Sequence, residues 1–177
     1  MPAIDGQILR EYVNEGVNAQ NTTAQGRALE DLICYLFGQV PGITIRQRNA
    51  LNVFQTEEID VALWNEAEAQ GLYFLPNIIL VEAKNWSTRV GGEEVSWFDN
   101  KLRNRGLDFG IFVCTKGITG NPERLTAAHQ VISKALSEKR KLVVLKTDEI
   151  LQLGNTEALC ELIKVKLCNL AVNGALV

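Results

Sequence analysis

The chain has 177 residues, 18 Lys+Arg against 21 Asp+Glu, a formal charge of −3, and 46% apolar and 22% charged residues. That composition is ordinary for a folded globular domain and excludes a disordered chain; the length fits one core, expected as a single domain over 1–177. No apolar run approaches the roughly 20 residues that a membrane span needs, and Met-Pro-Ala-Ile-Asp-Gly shows no basic-then-apolar leader, so no membrane association and a cytoplasmic location are expected.

Residues 1–20 are polar and read as an N-terminal arm or a short helix. Thr22 and Thr23 offer an N-cap, after which Leu29, Leu32, Ile33, Leu36 and Phe37 recur at helical spacing up to Gly38, with Pro41-Gly42 as a turn. Ile43–Arg48 and Glu58–Trp64 alternate apolar and polar side chains and predict strands. Ile78-Ile79-Leu80-Val81 is unbroken and apolar, the pattern of a strand covered on both faces.

After Gly91-Gly92, Val95, Phe98 and Leu102 predict a helix over about Glu93–Arg105, with Lys101 and Arg105 together on another face. Phe109–Thr115 is a further buried strand. Asn121-Pro122-Glu123 reads as cap, first-turn proline and first-turn acid of a third helix with the stripe Leu125, Ala128, Ile132 and Ala135. Leu142–Leu145 is a last short strand, and Leu159, Leu162, Ile163, Leu167 and Leu170 face one side of a final helix. The expected fold is α/β, a central mixed sheet with helices on both faces: an arm over 1–20, a core over 22–147 and a helical extension over 148–177.

The four cysteines, at 34, 114, 160 and 168, form no Cys-x-x-Cys pair, and His129 is the only histidine. Structural zinc, disulfides and histidine-based nucleophilic catalysis are therefore not expected, which leaves carboxylates, lysines or a hard metal ion for any chemistry. His129 reads as a helix-flank residue. Trp86 and Trp97 read mainly as packing residues, with base stacking as the functional alternative.

Three features carry that chemistry. Glu82-Ala83-Lys84 follows the buried strand, and a period of 2 puts Glu82 and Lys84 on one face, about 7 Å apart along the chain. Asp60 lies on the strand expected to pair with 78–84, and Glu30 sits at the edge of the first helix's apolar face. Two carboxylates with a backbone carbonyl, here Asp60, Glu82 and Ala83, form a hard-oxygen set suited to Mg²⁺, with Mn²⁺ as substitute. Lys84 would position or deprotonate a water and offset negative charge. The plain alternatives are an ion pair for Glu82–Lys84, a solvent-facing strand end for Asp60 and a helix former for Glu30. Lys101 and Arg105 are weak candidates for a DNA-phosphate strip, and Arg46 and Arg48 fit either a solvated face or a DNA path.

The order Glu30, Asp60, Glu82-Ala83-Lys84 resembles the PD-(D/E)xK nuclease superfamily, the restriction-endonuclease-like fold with an αβββαβ core. Gly26-Arg27-Ala28-Leu29-Glu30, Val81-Glu82-Ala83-Lys84-Asn85-Trp86, Gly91 and Val113-Cys114-Thr115-Lys116-Gly117-Ile118-Thr119 resemble Mrr-like catalytic domains, over roughly 22–147. Ile59 stands where the superfamily name has proline, and Glu82 where Mrr-like domains often carry glutamine.

The resemblance implies a metal-dependent DNA endonuclease of restriction or defence type. Its site would be Asp60, Glu82 and Lys84, with Glu30 as an auxiliary acid, and its partners DNA, a homodimer mate or a separate targeting subunit. The alternatives are a catalytically silent nucleic-acid-binding or assembly module on the same fold, or a nuclease for RNA or branched DNA. The acidic total does not oppose DNA: without Glu30, Asp60 and Glu82, the 21 acids become 18, equal to the 18 bases.

Overall fold

Two helices open the chain, α1 (Gly6–Val17) and α2 (Thr22–Gly38), followed by strands β1 (Ile43–Leu51), β2 (Glu58–Asn65) and β3 (Ile78–Lys84). Helix α3 (Gly92–Asn104), strand β4 (Phe109–Cys114), helix α4 (Ala128–Ser137) and strand β5 (Lys141–Lys146) come next, then the single turn α5 (Thr147–Ile150) and α6 (Thr156–Asn173). The structure, a computed structural model, describes residues 2–52, 55–124 and 126–175.

One five-stranded mixed sheet runs in the order β1-β2-β3-β4-β5. The β1–β2 and β2–β3 pairs are antiparallel, and β3–β4 and β4–β5 are parallel. The antiparallel pairs follow from short connections, whereas α3 and α4 supply the crossovers that parallel neighbours need. All six residues of β4 are buried, as its unbroken apolar sequence requires of a central strand covered on both faces.

Alternation along the strands divides the core in two. Val61, Leu63, Ile79, Val81, Ile111 and Val113 pack with Leu29, Leu32, Ile33, Leu36 and Phe37 of α2 and with Leu159 and Ile163 of α6. On the other face, Leu80, Phe112, Cys114, Leu142 and Val144 pack with Val95, Phe98 and Leu102 of α3 and Ile132 and Ala135 of α4. Gly110 sets the closeness of that second layer: a Cβ there would lie 2.7 Å from the Phe98 ring and 2.8 Å from Leu102. The missing side chain lets α3 rest directly on β4.

Several expectations are modified. Residues 6–17 form a helix, capped by the Asp5 side chain on the Gln7 N–H. The cap of α2 is Asn21, whose Oδ1 accepts the Ala24 N–H at 2.8 Å, one residue ahead of the expected threonines. The third helix does not start at Asn121-Pro122. Asn121 does accept the Arg124 N–H at 2.9 Å, but Ala127 at φ 50 breaks a right-handed path, and α4 begins only at Ala128. Leu125 of the expected stripe lies outside the described residues.

Trp86 and Trp97 are 40% and 57% exposed, against the packing role expected of them. The inward stripe of α3 is Val95, Phe98, Leu102, which turns Trp97 outward; Trp86 lies just past the end of β3. All four cysteines are free, with Cys114 and Cys160 buried. Among the described residues no helix is long and apolar enough to cross a membrane.

Candidate active site

The site lies where β2 and β3 part. Their register runs from Trp64↔Ile78 to Val61↔Val81, beyond which β3 stays paired only with β4, as far as Lys84↔Cys114. Asp60 replaces the lost ladder: its Oδ2 accepts the Ala83 N–H at 2.7 Å. Since Val61 and Val81 face α2, alternation turns Asp60, Glu82 and Lys84 to the α3 face.

Glu82 is only 4% exposed, and both carboxylate oxygens carry a lysine. Lys84 Nζ lies 2.9 Å from Oε1, and Lys101 Nζ, from α3, lies 2.6 Å from Oε2. A buried carboxylate without such partners would be costly. The Lys84 side chain keeps 25% exposure, so the strand end grades from buried acid to accessible cation.

Electrostatics separates these groups. Asp60 is pushed up to about 6, first by burial and then by the Glu82 charge, and the Ala83 N–H and the two lysines offset this only in part. Burial works against the Lys84 ammonium, but the Glu82 charge and hydrogen bond, with Asp60, outweigh it and raise its pKa. Lys84 is therefore firmly cationic at neutral pH.

The sequence pattern brings Asp60, Glu82, Ala83 and Lys84 together here. Glu30 stands apart. It lies on α2, which covers the opposite face, and its Oε2 accepts from Arg48 Nε at 3.0 Å and Asn49 Nδ2 at 2.9 Å. Arg48 also pairs with Asp31 and so braces β1 to α2. Arg46 sits at the register shift of β1 and is exposed.

Lys101 is turned to the Glu82 carboxylate rather than to an open strip. Arg105 Nη1 is held 2.6 Å from Glu57 Oε2, and that guanidinium keeps Glu57 below the usual carboxylate range. Arg103 extends a buried ion pair toward the surface: Arg140 grips Asp99 with Nε at 2.7 Å and Nη2 at 3.0 Å, and exposed Glu138 takes both Arg103 and Arg140. This clamps α3 to the turn before β5.

Asn85 is a positioning residue that sequence reasoning did not single out. Its Nδ2 donates to Gln25 O and its Oδ1 accepts from Thr115 Oγ1, each at 2.7 Å, which ties the end of β3 to α2 and to the loop after β4. The only hint was an asparagine directly after the lysine at a strand end.

Among the described residues no group of three or more His, Cys, Asp or Glu side chains gathers around a common point for a metal. The donor set nonetheless fits a hard divalent cation. Asp60 and Glu82 share one strand end, where the Glu82 charge adds to burial in lifting Asp60, and a cation there would stabilise both charged carboxylates.

A family model described as a restriction endonuclease, the Mrr catalytic domain, matches residues 22–153, which is 132 of the 177 residues, from α2 through β5 and past α5. No curated protein matches the chain.

Proposed function

The chain belongs to the Mrr catalytic-domain family of restriction endonucleases, and on that premise we propose that it hydrolyses DNA phosphodiester bonds, with Mg²⁺ held at the Asp60–Glu82 strand end. The observation that carries this reading is the juxtaposition of two acids and a lysine where β2 and β3 part, with Asp60 raised to about 6 beside Glu82.

Asp60, Glu82 and the Ala83 carbonyl would hold the ion, which supplies Lewis acidity toward the phosphodiester when bound, and Mn²⁺ would substitute. Lys84, as a firm cation, positions the attacking water and offsets the charge that develops on the phosphate. The same charge state argues against Lys84 as the proton acceptor. Lys101 fixes the second oxygen of Glu82 and so sets the direction in which that carboxylate presents itself. Exposed Trp86, two residues past Lys84, and Trp97 on α3 are available to stack on bases. A homodimer mate or a separate targeting subunit would supply sequence selection.

A second reading, a silent nucleic-acid-binding module, is favoured by one observation: Glu82 is already satisfied by two ammonium groups. Supercoiled plasmid with Mg²⁺ separates the two. The endonuclease reading expects nicking or linearisation, abolished by Lys84→Ala and by EDTA. Cutting that persists in Lys84→Ala places the activity elsewhere. Binding of Mn²⁺ without cleavage of DNA or RNA supports the silent module, and cleavage of RNA alone changes the substrate class.

A further inference from the structure

Past the end of β3 the fold opens a cavity that the nuclease reading does not use. The Thr115 N–H meets Lys84 O at 3.3 Å, and from there the loop 115–122 bounds a space of about 670 Å³ beyond the ends of β4 and β5. That is the end of a parallel sheet at which α/β folds collect ligands, and the volume suits a small organic molecule.

Its charges are unbalanced. Asp148 and Glu149 line it, but Lys146 lies 3.5 Å from Asp148 and Lys166 lies 2.7 Å from Glu149. Arg89 and Lys116 line it as well, both exposed, and neither has a carboxylate partner among the described residues. Two positive charges are left over. His129 also borders the space; it is 8% exposed, and its buried Nδ1 has no hydrogen-bond partner among the described residues. Buried ring nitrogens are normally satisfied; this one is covered as the ring stands, and a turn of the imidazole would bring it to a ligand in the cavity. Val13, Val17, Ile118 and Leu151 add apolar wall.

We propose that this cavity binds a phosphate-bearing anion of mononucleotide size, its phosphate taken by Arg89 and Lys116, its apolar part lying against Val13, Val17 and Leu151, and His129 as a hydrogen-bonding partner. The site is separate from the carboxylate–lysine cluster and does not depend on cleavage. Burial and then the Arg89 charge hold His129 below its usual pKa, so the imidazole is neutral near pH 7 and able both to donate and to accept. A bound phosphate would oppose the Arg89 charge and raise that pKa.

The chain's only histidine makes a direct reporter, since its imidazole signal in a proton NMR spectrum needs no assignment. The full chain is titrated with inorganic phosphate, a nucleoside 5′-monophosphate, the parent nucleoside, and an oligonucleotide with and without a 5′-phosphate. The proposal expects a saturable shift with the monophosphate and a His129 pKa raised by about one unit. It expects inorganic phosphate to bind more weakly and the nucleoside not at all. Tighter binding of the phosphorylated oligonucleotide identifies a strand end as the source; tighter binding of the monophosphate identifies a free nucleotide. The Arg89→Ala/Lys116→Ala double variant, its fold checked by circular dichroism, should bind at least about tenfold more weakly. No saturable shift with either phosphate ligand up to about 10 mM, or an unchanged titration in the double variant, overturns the proposal. No nuclease activity enters the readout, so its failure is distinct from failure of the nuclease reading.

Discussion

Asp60→Asn is expected to stabilise the metal-free protein at neutral pH while removing its response to a divalent ion. The substitution keeps an oxygen to accept the Ala83 N–H, which Asp60 holds at 2.7 Å, and removes the charge beside Glu82. The folded carboxyl sits at about 6, against 3.8 for an unperturbed aspartate. A raised pKa means that the folded state favours the protonated form, so stability is complete below about pH 3.8 and is lost as pH rises through 6. At 1.36 kcal/mol per unit, the charged form costs roughly 2–3 kcal/mol at pH 7. For a chain of this length that amounts to a midpoint about 5–10 °C higher for the variant. Thermal unfolding in EDTA at pH 7.5 and pH 3.5 measures it. The gain should be nearly absent at the lower pH, where Asp60 is protonated in both states. Adding Mn²⁺ should raise the wild-type midpoint and leave Asp60→Asn unmoved. An Asp60→Asn protein no more stable than wild type at pH 7.5, or equally stabilised by Mn²⁺, refutes the placement of a repelled metal-ligating acid at this position.

The same carboxyl must lose its proton to hold an ion, so Mn²⁺ affinity by calorimetry should weaken about tenfold between pH 7 and pH 5, where a carboxyl of ordinary pKa would change it little. Asp99→Ala strips the paired grip from Arg140 and should cost about 3 kcal/mol in urea unfolding, an effect that a surface ion pair would not produce. Gly110→Ala drives a methyl group into Phe98 and Leu102 and should cost about 1–3 kcal/mol; because α3 carries Lys101, it should also reduce any cleavage activity by more than the stability loss explains.

Much of the architecture was legible because hydrophobic period and chain order carry it. Phe109–Cys114 became a strand covered on both faces, and so did Ile79–Val81, whereas Ile78, expected with them, is exposed at the start of β3. The acid and the acid-x-lysine lie on strands, where a period of 2 fixes the face, so Asp60, Glu82 and Lys84 were placed together in advance. Glu30 lies on a helix at the margin of its stripe, and helical spacing does not say whether such a residue reaches past the sheet or turns to β1. Arg48 and Asn49 decided that. The start of the third helix was misplaced because a cap-like Asn-Pro-Glu is a local signal, and Ala127 at φ 50 overrides it.

Sequence by itself determined the mixed sheet, its helical cover and the set of acids and lysine at one strand end, because each follows from local periodicity and chain order. Only the tertiary structure decided which lysine faces Glu82 from outside its own strand, which face α2 occupies, that Trp86 and Trp97 stand exposed, and that Arg89, Lys116 and His129 share a cavity. Those relations join residues far apart in the chain, and they depend on how closely layers pack, which at this sheet rests on the absent side chain of Gly110.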